Sequence, residues 1–204
     1  MSKSFSPEEI ACVADTEFFR TKAKITLQVR KIFEELHMHL KSELTGRDFV
    51  APQSFRSEAV QFVKGEHLED FPYQYLDFPR HYTREEKFAF RSLFWWGHHM
   101  VFAFMLEGPH IRRYKENLIN HYATIADRNI CLCLSSSLWE WKNGPGYTME
   151  LTHDRKSQTA AVLANRSSLK LARFIPLTDP IIQSGQLVEV GHDTFRTMLP
   201  IILP

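Results

Sequence analysis

Glu140-Trp141-Lys142 closes an apolar run that begins near Ile130. Read as strand, the triplet places the carboxylate and the ammonium on one side of the chain. Metal-dependent nucleases use that pairing: the acid holds a divalent cation and the lysine steadies the attacking water or the phosphate. Such a site needs a second acid, for which Asp127 and Asp77 are the candidates. Glu-x-Lys recurs by chance in many chains of this size, so a solvent-facing pair is the plainer reading. Ser135-Ser136-Ser137 holds three hydroxyls, but no base can be placed beside them. His98 and His99 are adjacent, and on a strand they point to opposite faces. Cys131 and Cys133 share a strand face, yet an odd total of three cysteines makes a poor disulfide framework and lacks the loop spacing of a zinc site.

The other chemistry available is stacking. Aromatic residues make up 13% of the chain, with 16 Phe against only 8 Gly, which favours a large packed core or an aromatic-lined cavity. Trp95, Trp96, Trp139, Trp141, Tyr73 and Tyr75 could hold a flat ligand. They could equally fill the core. There is no Gly-rich phosphate loop, dinucleotide fingerprint, nucleophile elbow or His-Glu-x-x-His helix. The formal net charge of +1, from 25 basic and 24 acidic residues, creates no global field toward nucleic acid or an anionic membrane. The opening "MSKSFSPEEIACVADTEFF" has no signal-peptide core. The longest apolar run is about 15 residues and is broken by Gly97-His98-His99, too short to span a bilayer. A cytoplasmic protein is expected.

Several elements must position these groups. Ser6, Pro7, Glu8 and Glu9 read as the capped start of a short helix. Asp15 caps a second helix that runs to about Leu44. Its stripe is Phe18, Ile25, Val29, Ile32, Phe33, Leu36, Leu40 and Leu44, and Gly46 sits at its C-terminal cap. Residues 47–84 look irregular, with Asp-Phe-Pro at 70–72 and again at 77–79, and suggest an ordered loop with strand-like pieces. "KFAFRSLFWW" and "MVFAFMLEG" then read as two strands joined by a tight turn at Gly97, with both histidines at the tip where a polar side chain reaches water. The second strand is apolar on both faces, so it should be central and covered on both sides. A helix follows to about Ala126, then a strand pair around Asn143-Gly144-Pro145-Gly146. Next come a helix capped by Asp154, the strand "LKLARFIPL", and a terminal helix capped by His192-Asp193.

This order predicts an α+β fold: a mainly antiparallel sheet with a central aromatic hairpin packed by several helices, in a single domain over residues 1–204. The "FSPEE" opening, the long helix ending in "LTG", the hairpin running into "IRRY" and the late strand "LKLARFIPL" resemble the YktB-like family of bacterial proteins. The chain differs where that family has a basic Gly-Tyr-Lys-Lys stretch, carrying "HYTREEK" instead. The resemblance implies an α+β fold and brings no catalytic residue, metal or cofactor with it.

The functional expectation is a domain that binds a small aromatic or anionic ligand in an aromatic-lined pocket. Trp95, Trp139, Trp141 and Tyr75 would give the stacking surface, and Arg80, or else Arg56, would hold an anionic group. One alternative is a divalent-metal-dependent hydrolase or nuclease using Glu140 and Lys142. Another is a protein-interaction module or homo-oligomer, with an exposed aromatic patch or edge strand as its contact surface. Neither a membrane nor a nucleic acid is expected as a partner.

Overall fold

Two capped helices open the chain. The structure is a computed structural model that describes residues 4–204. In the first helix, α1 (Pro7–Ala14), Ser6 and Glu9 form a reciprocal capping box. Asp15 then caps α2 (Thr16–Leu44), accepting from the Phe18 amide at 2.8 Å. Gly46, at φ 73°, ends α2 in the left-handed region that glycine tolerates. Val29, Phe33, Leu36, Leu40 and Leu44 form its buried stripe.

Residues 47–84 hold more order than the sequence suggests. β1 (Gln61–Leu68) and β2 (Phe71–Tyr82) make an antiparallel hairpin. Its two-residue turn places Glu69 and Asp70 at positive φ, 48° and 69°. This is the mirror-image turn geometry that matches strand twist, made here without the usual glycine. The first Asp-Phe-Pro therefore marks the turn and the second lies inside β2. There the register shifts between Asp77 and Arg80, and the Phe78–Pro79 peptide is cis.

The aromatic hairpin forms as expected. β3 (Lys87–Trp95) and β4 (His99–Glu107) pair antiparallel from Lys87↔Glu107 to Phe94↔Met100. Gly97 takes φ 73° at the reversal. α3 (Ile111–Asn120) and α4 (Tyr122–Ile125) replace the single helix expected to Ala126. The chain breaks at His121, and Tyr122 is anchored beyond the break by its hydroxyl donating to the Thr152 carbonyl at 3.0 Å. β5 (Cys131–Cys133), β6 (Thr148–Glu150), α5 (Lys156–Ala164), β7 (Ser168–Pro176) and α6 (Leu187–Met198) follow. α5 starts at Lys156 with no side-chain cap, so Asp154 does not play that part. α6 begins five residues before His192, which lies inside it. The sequence hides this because Gly191 reads as a helix breaker. Its missing side chain is what lets α6 approach: a Cβ there would stand 2.6 Å from the Phe102 ring.

The result is an α+β fold on one seven-stranded antiparallel sheet, in the order β1-β2-β3-β4-β7-β5-β6. Phe88, Phe90, Phe102 and Phe104 point to one face, under α2, α6 and α3. Ala89, Leu93, Trp95, Val101, Ala103 and Met105 point to the other, where no helix of the described residues packs. Residues 134–147 cover that face with Leu138 and Trp141. No helix of the described residues is long and apolar enough to cross a membrane.

The tip histidines do not simply reach water. His98 stacks on Trp95 with ring centroids 3.8 Å apart and meets Phe71 edge-on at 4.8 Å. His99 packs edge-on against Phe174, and its Nδ1 is buried with no partner among the described residues. Burial, and then the neighbouring His98, lowers the His99 pKa. The folded chain therefore refuses a proton that the unfolded chain accepts near the ordinary imidazole value, and stability falls as pH drops through that value. His99→Phe should flatten the fall in melting temperature between about pH 7 and pH 5. His37, also lowered by burial, leaves a residual slope. Equal losses in wild type and variant would place the titration elsewhere.

Candidate functional site

On the helix-free face, Asp77 of β2 stands directly opposite Arg91 of β3. Arg91 donates from Nε to Oδ1 and from Nη2 to Oδ2, both at 2.7 Å, the bidentate geometry that suits a planar guanidinium. Both residues are buried, Asp77 completely. A third bond comes from the Tyr82 hydroxyl, which donates to Asp77 Oδ2 at 2.9 Å. Tyr82 lies five residues beyond Asp77, so an unbroken strand would turn it to the opposite face. The extra residue between Asp77 and Arg80 brings it back. Burial, followed by the Asp77 charge, raises the Tyr82 pKa, so the phenol stays a donor.

Aromatic rings close over this pair. The Arg91 guanidinium carbon lies 3.7 Å from the Tyr75 ring centroid, 5.1 Å from Trp139 and 5.5 Å from Trp141. A weakly hydrated, delocalised cation suits such a setting. Tyr73 and Tyr75, two apart on β2, stack at 6.1 Å with an 8° interplanar angle. Tyr73 has room because Gly65 is its β1 partner: a Cβ at Gly65 would meet that ring at 2.4 Å.

Both tryptophans over Arg91 ride on the irregular segment 134–147, whose backbone carbonyls need donors. Two cations supply them. Arg166 Nη1 donates to the carbonyls of Cys133 at 2.9 Å and Ser135 at 3.3 Å, and Nη2 to that of Leu134. Lys170 of β7 donates to the Leu138 carbonyl at 3.0 Å and to that of Glu140, and its Nζ stands 4.3 Å from the Trp141 ring. Burial lowers the Lys170 pKa. At the outer end, Lys142 pairs with Glu69 of the β1–β2 turn at 3.3 Å. Between segment and sheet lies a cleft of about 350 Å³ over Arg91. Tyr73, Tyr75, Tyr82, Leu93, Trp139 and Trp141 form its walls.

Of the stacking residues expected from sequence, Tyr75, Trp139 and Trp141 come together here. Trp95 does not: it is buried, with its indole N–H donating to the Leu68 carbonyl at 3.0 Å, and it fastens the hairpin tip. Arg80 is outside the cleft lining, its guanidinium 5.2 Å from the Tyr82 ring centroid, and Arg56 is outside it too. The cation in the cleft is Arg91, which the sequence reading left unassigned. Its signal was present: one arginine on the otherwise apolar face formed by Ala89, Leu93 and Trp95. Its partner Asp77 was hidden in a stretch read as loop.

The strand geometry that a Glu140–Lys142 metal site requires is absent. The triplet lies in the irregular segment, where Glu140 Oε1 accepts from the Lys142 amide at 3.0 Å. Asp77 is held by Arg91, and Asp127 pairs with His153. Among the described residues, no group of three or more His, Cys, Asp or Glu side chains is placed to hold a metal ion. The Ser135 and Ser137 hydroxyls accept from backbone amides two residues on, at 3.1 and 3.2 Å, and shape turns.

Compared with family models, curated proteins and solved structures, the chain matches none. The comparisons therefore neither support nor contradict the resemblance to the YktB-like family.

Asp77→Ala leaves Arg91 buried and unpaired and should lower stability by about 3–5 kcal/mol in urea unfolding. The double variant Asp77→Leu/Arg91→Met removes both charges and should recover most of that loss. A double variant no more stable than the single one would show that the ion pair is not the source. The thiols give a second check. Burial pushes Cys133 up to about 12 and Cys131 up to about 11, while Cys12 is exposed. Maleimide labelling of the native protein, read by mass spectrometry, should stop at one adduct on Cys12. Rapid native labelling of Cys133 would mean that segment 134–147 does not cover the sheet.

Proposed function

We propose that the cleft over Arg91 binds a small flat aromatic molecule, stacked on Trp139 and Tyr75. The observation that carries this is convergence: five aromatic side chains from β2 and segment 134–147 meet around one opening of about 350 Å³. That volume falls within the usual range for small-molecule sites, about 300–1,000 Å³. Trp139 is 48% exposed, so a large ring surface is already offered to a second ring. Stacking on an aromatic platform contributes roughly 1–3 kcal/mol per flat ring.

The anionic half of the sequence expectation has less support. The one cation in the lining, Arg91, is neutralised by Asp77 through two hydrogen bonds. An anionic ligand would have to compete with that carboxylate. The reading is therefore a neutral heteroaromatic ligand, with ring stacking as its main source of affinity.

A screen of neutral purines, indoles and flavin-like rings by intrinsic tryptophan fluorescence tests this. At least one class should quench saturably, and Trp139→Ala should weaken it roughly tenfold or more while leaving the far-ultraviolet dichroism unchanged. No saturable quenching in any class, or an affinity indifferent to Trp139→Ala, would overturn the proposal.

A further inference from the structure

Every residue from Pro7 to Thr21 is exposed. This arm includes all of α1 and the opening turns of α2. α2 has 29 residues, about 43 Å at 1.5 Å per residue; burial along it starts at Lys22, which pairs with Glu66 of β1 at 2.7 Å, and reaches the core only at Val29. The stripe that faces the core does not stop there. Ile25, Val29, Ile32 and Leu36 continue backward by the same helical step to Phe18, which is 50% exposed. Phe19 beside it, and Ile10 and Val13 on α1, are exposed as well. The apolar stripe of α2 thus overruns the buried core, and nothing in the described residues buries Phe18, Phe19, Ile10 or Val13. An eight-residue helix such as α1 is marginal in water on its own, so its apolar side also lacks cover.

Directly beyond the overrun on the same helix face is a cleft of about 290 Å³. Ile25, Val29 and Ile32 form one wall, and Trp96, Leu177 and Ile182 the other. The overrun cannot fill this cleft in its own chain, because both lie along one continuous helix. A second copy can. Phe18 and Ile32 each stand seven residues from Ile25, so a two-fold axis near Ile25 sets Phe18 of each copy over Ile32 of the other. Projection and cleft are then self-complementary, and the contact closes as a two-fold dimer.

We propose that the chain forms a homodimer in which the α2 overrun of each copy occupies the apolar cleft of the other. A specific interface takes about 20–30 residues a side, and the exposed arm together with the cleft walls falls in that range. The charge on the arm disfavours a lipid occupant: Glu8, Glu9, Asp15 and Glu17 crowd the starts of its two helices, which an anionic bilayer surface would repel.

Analytical ultracentrifugation of the full chain over a nanomolar to high-micromolar series tests this. Wild type should sediment at about twice the chain mass of 23.9 kDa. Phe18→Glu on the overrun and Ile182→Glu in the cleft should each weaken the dimer at least tenfold. Phe18 is not part of the core, so Phe18→Glu should keep the dichroism of wild type, which separates lost association from lost folding. An equimolar mixture of the two variants keeps one intact overrun-in-cleft contact and should contain more dimer than either alone. Four results would each overturn the proposal: a wild type monomeric throughout, a dimer indifferent to Phe18→Glu, a mixture no more dimeric than its parts, or a monomer that instead floats with phosphatidylcholine vesicles.

Discussion

A strand pair that is apolar on both faces must be covered twice, and most of this architecture follows from that requirement on β3 and β4. α2, α6 and α3 cover one face. On the other face no helix of the described residues packs, and an irregular segment takes the role. Irregular backbone makes a poor cover by itself, because its carbonyls lack the internal partners that a helix provides. The sheet supplies donors from below: Lys170 holds the carbonyls of Leu138 and Glu140, and Arg166, just before β7, holds those of Cys133, Leu134 and Ser135. A buried lysine and a half-buried arginine here act as the hydrogen-bond scaffold of a lid. The same face also carries a buried acid, Asp77, which Arg91 and Tyr82 satisfy together. Charges that would be expensive singly are tolerable because each ends in a bond.

The two layers of the molecule therefore differ in kind. The helical layer is an ordinary apolar core of phenylalanine and leucine, tightened where Gly191 admits the Phe102 ring. The opposite layer mixes aromatic rings, cations and backbone carbonyls. It leaves an opening where the rings stand apart instead of interlocking. The cleft arises there because a lid built from rings on an irregular segment fits a sheet less closely than a helix does.

What the sequence makes legible follows the strength of each local signal. The hairpin at 87–107 was readable because Phe, Trp and other apolar residues crowd both sides of Gly97, broken in the first arm only by Arg91-Ser92, and the apolar stripe of α2 because it spans many turns. β1 and β2 were not, because Gly65, Glu66, His67 and two prolines suppress strand character, and the turn at Glu69-Asp70 lacks glycine. The start of α6 was missed because Gly191 looks like an end when it is a packing surface. At the site, Tyr75, Trp139 and Trp141 were visible as aromatic residues in unusual density. The role of Arg91 was not, since it depends on a pairing between strands whose register only the fold defines. Trp95 lies outside the cleft for a related reason: sequence shows that an indole is present, while its partner, the Leu68 carbonyl, is set by tertiary structure.

The position of β7 has a consequence for how the chain assembles. β4 and β5 are close in sequence, but β7 lies between them in the sheet and joins them. Until Ser168–Pro176 has been synthesised and inserted, the long inner edge of β4 stays unpaired, and β5 with β6 has no sheet to join. Lys170, which fastens the lid, arrives on the same strand. The pairing that closes the sheet and the cation that fastens the lid thus sit on one strand, and that pairing joins segments distant along the chain, the class of contact that tends to form slowly.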